Sequence, residues 1–171
     1  NSFDSDGFTL GNQNQLNDTG ATYVGWSWKA NGAGSANTDG SINTVKTSAN
    51  TTSGFSISKF VGSGGAATVG HGLGVAPKVI IIKYLKSSSY GGQHWAITDN
   101  KRLGYNGDSA WLKADSNGAE LTNLVNPNLL SNGFSLQNNN DIYNKNGQSY
   151  IYMAFAESPF VTSTGIPTTA G

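Results

Sequence analysis

The apolar residues of this chain alternate in short runs and nowhere keep a helical period beyond a single turn. In "YVGWSWKA" Val24, Trp26 and Trp28 fall on one side and Tyr23, Gly25 and Ser27 on the other. In "GFSISKFVG" Phe55, Ile57 and Lys59 alternate with Ser56, Ser58 and Phe60. A period of two fits strands with one covered face. Only "NGAELTNLVNPNLL" offers a helical turn, through Leu121, Leu124 and Val125. Between the runs lie Gly, Asn, Ser and Thr, and 23 glycines in 171 residues suit many tight turns joining short strands. Together these runs make roughly seven to nine antiparallel strands, which implies an all-β fold, a jelly-roll-like β-sandwich.

Within that class, "KVIIIKY" stands out because Val79 to Ile82 are consecutive and β-branched, between Lys78 and Lys83. Such a run predicts a central strand covered on both faces, with Pro77 at its start, where a missing N–H is tolerated. "HWAITD" and "AWLKAD" read as further strands. "GFSLQ" and "SYIYMAFAE" read as a closing hairpin around an Asn-rich loop. With 36% hydrophobic residues the chain has enough for one main core. Residues 31–53 have little to bury and read as a surface linker in which "INTV" can pair at an edge. Residues 54–160 are then the β-sandwich domain, and 161–171 an extended C-terminal tail.

One stretch is said nearly twice. Residues 7–28, "GFTLGNQNQLNDTGATYVGWSW", match 133–155, "GFSLQNNNDIYNKNGQSYIYMAF", in register. Gly7, Phe8 and Leu10 fall on Gly133, Phe134 and Leu136. After one inserted residue, Gly20, Tyr23, Val24, Trp26 and Trp28 fall on Gly147, Tyr150, Ile151, Met153 and Phe155. With no third copy between them, residues 1–30 are expected to be the C-terminal hairpin of a preceding repeat unit, followed by one whole unit. The chain would then be a piece of a longer modular protein. Residues 7–28 are predicted to form a hairpin superimposing on 133–155, with Trp26 and Trp28 buried.

The charge balance narrows the function. Ten basic and ten acidic residues cancel, so no overall field draws in nucleic acid or an anionic membrane. The absence of Cys excludes disulfides, thiolate metal sites and a cysteine nucleophile. No apolar run approaches the ~20 residues of a membrane helix, and Val79 to Ile82 is only strand length.

Catalytic chemistry has few candidates. His71 in "GHGLG" reads as a turn or packing residue, and His94 in "QHWAIT" as an exposed strand position. Asp99, Asp108, Asp115 and Glu120 read as solvated turn carboxylates, since nothing in their spacing favours the ~5–10 Å pair of a glycosidase. "DSDG" and "NNND" lack the alternating ligands and closing Glu of a calcium loop, and Asx turns account for both. No metal, no cofactor and no enzymatic activity are expected. Neutral sugars offer C–H faces and hydroxyls, so they are held by aromatic rings with amide and hydroxyl partners. Alternation assigns Trp26 and Trp28 to the core. Tyr90, His94, Trp95, Tyr105 and Trp111, in or beside the glycine-rich middle loops, form the candidate ligand-binding patch.

The string "GWSWKANGAGSANTDGSINTVKTSANTTSGFSISKFVGSGGAATVGHGLGVAPKVIIIK", with "YIYMAFAESPF" near the end, resembles a repeat domain of virion structural and tail-fibre-like proteins of marine tailed bacteriophages. The resemblance spans nearly the whole chain and rests on glycine turns and β cores. It implies tandem units in a surface-exposed virion protein, on a tail fibre or the capsid exterior, and with the aromatic patch this makes an adhesive role toward a host glycan or receptor the expected function. Other virion proteins are expected as partners, with homo-oligomerisation, a trimer included; the charge balance and the short apolar runs give no expectation of nucleic acid or membrane insertion. No catalytic or metal residue carries over. A passive capsid-decorating spacer and a glycan depolymerase module are the alternatives.

Overall fold

The computed structural model describes residues 2–12, 14–85, 94–102, 110–122 and 127–156. In chain order these form β1 (Ser2–Phe3), β2 (Phe8–Thr9), α1 (Asn14–Asn17), β3 (Lys46–Asn50), β4 (Phe55–Val61), β5 (Ala67–Gly70) and β6 (Val79–Tyr84). There follow β7 (Trp95–Asp99), β8 (Leu112–Lys113), β9 (Asn128–Leu129), β10 (Gly133–Leu136) and β11 (Ser149–Phe155). A six-stranded sheet runs β3-β4-β11-β6-β7-β8, a three-stranded sheet runs β5-β10-β9, and β1 pairs with β2. Every pairing between these strands is antiparallel. The fold is an all-β sandwich of short strands, as the alternating runs predict.

The core lies where the two sheets face each other. From β11, Tyr150, Tyr152 and Ala154 point inward and are fully buried. Tyr150 stands between its register partners Phe60 and Tyr84, with ring centroids 5.3 and 5.1 Å away and planes nearly parallel. Across the sandwich, Phe134 of β10 meets Tyr152 edge-on at 5.0 Å, and Tyr152 donates a hydrogen bond to Gly70 O of β5 at 2.7 Å. Offset and edge-on ring pairs each add roughly 0.5–1.5 kcal/mol beyond area burial. Burial raises the pKa of Tyr143, Tyr150 and Tyr152, which keeps these hydroxyls protonated and able to donate. β5 and β10 approach so closely that a Cβ on Gly133 would strike Val69 O.

Four expectations need correction. β10 and β11 are not a hairpin: β10 pairs with β9 and β5 in one sheet, while β11 is central in the other. The Asn-rich loop crosses between layers, because both strands direct their apolar residues into one core from opposite sides. β6 is interior to its sheet but covered on one face. Ile80, Ile82 and Tyr84 are buried, whereas Val79, Ile81 and Lys83 are half-exposed. Residues 31–53 are not merely a linker, since they supply β3 and the bridges Ser35 to Thr47 and Ile42 to Val69. β3 joins the sheet through hydroxyls: Thr47 Oγ1 donates to Ser58 Oγ at 2.8 Å, and Ser58 Oγ donates to Lys46 O at 2.6 Å. Finally, residues 7–28 form no hairpin that buries Trp26 and Trp28, and both tryptophans are exposed. Leu124, Val125 and the 161–171 tail lie outside the described residues.

Candidate functional site

The outward face of the six-stranded sheet is assembled by register. One cross-strand row reads Ser48, Ile57, Met153, Ile81, Ile97, Leu112, and its five apolar members are all half-exposed. A neighbouring row reads Lys46, Lys59, Ile151, Lys83, Trp95. On the other side lie Asn50, Phe55, Phe155, Val79 and Asp99. A solvated sheet face ordinarily carries polar residues at alternate positions. This one carries an apolar band with ammonium groups along one margin.

An open cleft of about 430 Å³ is cut into this face, with Val79 and Ile97 among its lining and Lys78, Asp99, Asn100 and Lys101 around them. Asp99 is fixed by its surroundings. Its carboxylate accepts the N–H groups of Lys101 and Arg102 and the Arg102 guanidinium, whose Nε lies 2.6 Å away. Burial works to raise its pKa, but these bonds outweigh burial and hold it below the usual carboxylate range. Arg102 reaches Glu120 Oε2 with Nη1 at 2.7 Å, so one guanidinium serves both carboxylates. A second open cleft of about 410 Å³, on the β3 side, has Asn31, Ser35, Asn37 and Thr47 in its walls and no aromatic ring.

The candidate patch divides. Trp95 is half-buried at the start of β7, with Lys83 Nζ 5.6 Å from its ring centroid, a cation–π distance. His94 Nδ1 lies 3.2 Å from Asp115 Oδ1, which also accepts Trp95 N–H at 3.3 Å. Burial pushes the Asp115 pKa up, but its own amide, His94 and Trp95 pull it lower overall. Trp111 belongs to the core, not the patch: it is buried, bridges to Leu121, and meets Tyr143 edge-on at 6.4 Å. Tyr90 and Tyr105, like Asp108, lie outside the described residues.

His71 is wholly buried in its turn, bonded through both ring nitrogens to backbone. "DSDG" and "NNND" make local turns. Asp4 accepts the Ser2 and Thr9 hydroxyls, and Asn140 Oδ1 accepts the N–H groups of Ile142 and Tyr143. Among the described residues no group of three or more His, Asp or Glu could hold a metal ion. Sequence reasoning missed Ile57, Ile97 and Met153 as surface residues. Alternation tells which residues share a face but not which face is covered.

Fold and face together define a β-sandwich with an apolar, cleft-bearing outer sheet surface. The chain belongs to the DUF7483 family, described as a domain of unknown function, whose profile matches residues 1–91 and 84–159. Neither a curated protein nor a solved structure matches the chain.

Proposed function

We propose that this chain is an adhesive β-sandwich module of a bacteriophage virion surface protein, which binds a neutral or weakly charged glycan on the outer face of its six-stranded sheet. The observation that carries the binding part is the half-exposed band of Ile57, Met153, Ile81 and Ile97 running to the cleft beside Val79. Such a floor accepts the C–H face of a pyranose, while Asn100, Lys101 and Asp99 at the rim meet its hydroxyls. Trp95 extends the band with an aromatic ring. Arg102 pairs with both Asp99 and Glu120, which gives these carboxylates a structural role that requires no hydrolytic chemistry. The virion setting rests on the sequence resemblance.

The test is a glycan array probed with a multimerised form of the chain and its Trp95→Ala and Ile97→Thr variants. Single-site affinity on such a shallow surface is expected at roughly millimolar to tens of micromolar, raised ~10²–10⁴-fold by multivalent display. Binding that both substitutions abolish supports the reading. Binding that survives both moves the site elsewhere, and binding to no glycan leaves the spacer role. Release of reducing sugar would make the module a depolymerase.

A further inference from the structure

Residues 2–9 and 18–23 repeat the local pairing and turns of the sandwich's own closing segment, down to individual hydrogen bonds. β1 and β2 pair with Phe3 opposite Phe8 and Ser2 opposite Thr9. β9 and β10 pair with Leu129 opposite Phe134 and Asn128 opposite Ser135, which is the same register at an offset of 126. The turns close alike: Asp4 N–H donates to Gly7 O and Leu130 N–H to Gly133 O, both at 2.9 Å. Past the single inserted residue the offset is 127, and the agreement continues. Ala21 N–H donates to Asp18 O at 3.2 Å and Gln148 N–H to Lys145 O at 3.1 Å. Gly20 and Gly147 both take left-handed φ, 80° and 71°. The Tyr23 hydroxyl accepts Asp18 N–H, and the Tyr150 hydroxyl accepts Lys145 N–H, each at 2.8 Å.

Burial is what differs. Leu129, Phe134, Leu136 and Tyr150 are at most 2% exposed, whereas Phe3, Phe8, Leu10 and Tyr23 are 96, 48, 37 and 45% exposed. In the closing strands that apolar set is covered because β10 packs across β4 and β11, and β11 lies between β4 and β6. The first copy makes the same turns and presents the same positions to solvent. Exposed apolar positions whose counterparts are all buried mark a surface that another part covers.

We infer that residues 2–28 are the closing strands of a second unit of this same fold, whose strands equivalent to β3–β8 precede them on the polypeptide. Residues 23–28 take the β11 position between the equivalents of β4 and β6. Tyr23 then faces that unit's core as Tyr150 does here. Val24, Trp26 and Trp28 take the outward positions of Ile151, Met153 and Phe155, so the two tryptophans belong to an outer sheet face. The joint between units is already in place: Trp28 stacks on Phe55 at 6.0 Å and meets Phe155 edge-on at 5.4 Å. One unit's last strand thus ends against the outer face of the next, bringing two such faces together. This inference stands whether or not the face binds a glycan.

The test inserts residues 31–127 ahead of Ser2 in the full chain, the junction the offset of 126 dictates. Gly25→Tyr is included, because Gly25 falls where Tyr152 fills the core. Amides 23–28 are expected to exchange hydrogen at least ~100-fold more slowly than in the original chain, approaching those of β11. Adding Tyr23→Ala should abolish that protection and leave β11 protected. Unchanged exchange at 23–28 overturns the inference. If the extended chain precipitates, a chimera decides, in which residues 2–28 with Gly25→Tyr replace 128–155 of the original chain. A single cooperative urea transition supports the fit, and loss of cooperative unfolding overturns it.

Discussion

His71 is held in one neutral tautomer by two backbone groups of opposite kind. Leu73 N–H donates to Nδ1 at 3.0 Å, so the ring proton sits on Nε2 and is donated to Leu130 O at 3.1 Å. Burial lowers the pKa from 6.5, and the Leu130 carbonyl and Asp39 only partly oppose it. As pH falls through 6.5 the unfolded chain therefore takes up a proton before the folded one. The stability from neutral His71 is full above that pH and declines toward the lower folded pKa. The urea midpoint should drop between about pH 7.5 and 5.5 and flatten in His71→Gln. A midpoint that stays level in the unsubstituted chain would contradict this reading. The glycines around His71 made its turn or packing role legible in sequence. Trp111 was not legible, because "AWLKAD" puts Trp111 and Leu112 on opposite sides without saying which side is inward. Trp111→Ala should cost about 3–5 kcal/mol in urea titration.

At the scale of elements, strand identity was more legible than coverage. The run Val79 to Ile82 has the β-branched composition of an interior strand, and β6 is interior, between β11 and β7. Whether a second layer covers its other side depends on residues distant in sequence, which a local run does not encode. The consequence is an ordering: Ile80→Ala and Ile82→Ala should each cost about 2–5 kcal/mol, and Ile81→Ala less than either, by urea denaturation. Equal losses at all three would mean the outer face is covered in solution. β3 escaped a reading based on apolar periodicity because "KTSAN" joins the sheet with buried hydroxyls. Thr47 lies 2.8 Å from both the Thr44 and Ser58 hydroxyls. Thr47→Val keeps the shape and removes their shared partner, so a loss of about 1–3 kcal/mol is expected from two buried hydroxyls left short of a bond. No loss would show that the edge strand is held by its backbone ladder alone.

Over the whole molecule, composition made the all-β class legible and concealed the distribution of charge. Ten charges of each sign cancel, yet register gathers Lys46, Lys59 and Lys83 into one row beside the apolar band. Lys46 and Lys59 are direct cross-strand partners, an unfavourable pairing of like charges. That row makes salt the discriminating variable for the proposed adhesion. Raising ionic strength from 0.1 to 1 M shortens the Debye length from about 10 to about 3 Å and screens exposed lysines, while contacts with Ile57, Ile81, Ile97 and Trp95 are unaffected or strengthened. A neutral glycan seated on the band and cleft should therefore bind equally well across that range, and Lys59→Ala should leave its affinity unchanged. A polyanionic ligand would instead weaken steadily with the logarithm of salt concentration, and Lys59→Ala would reduce the slope. Titrating the multimerised chain against the array's best glycan at several salt concentrations separates the two cases. A steep decline would transfer the binding surface from the apolar band to the lysine row.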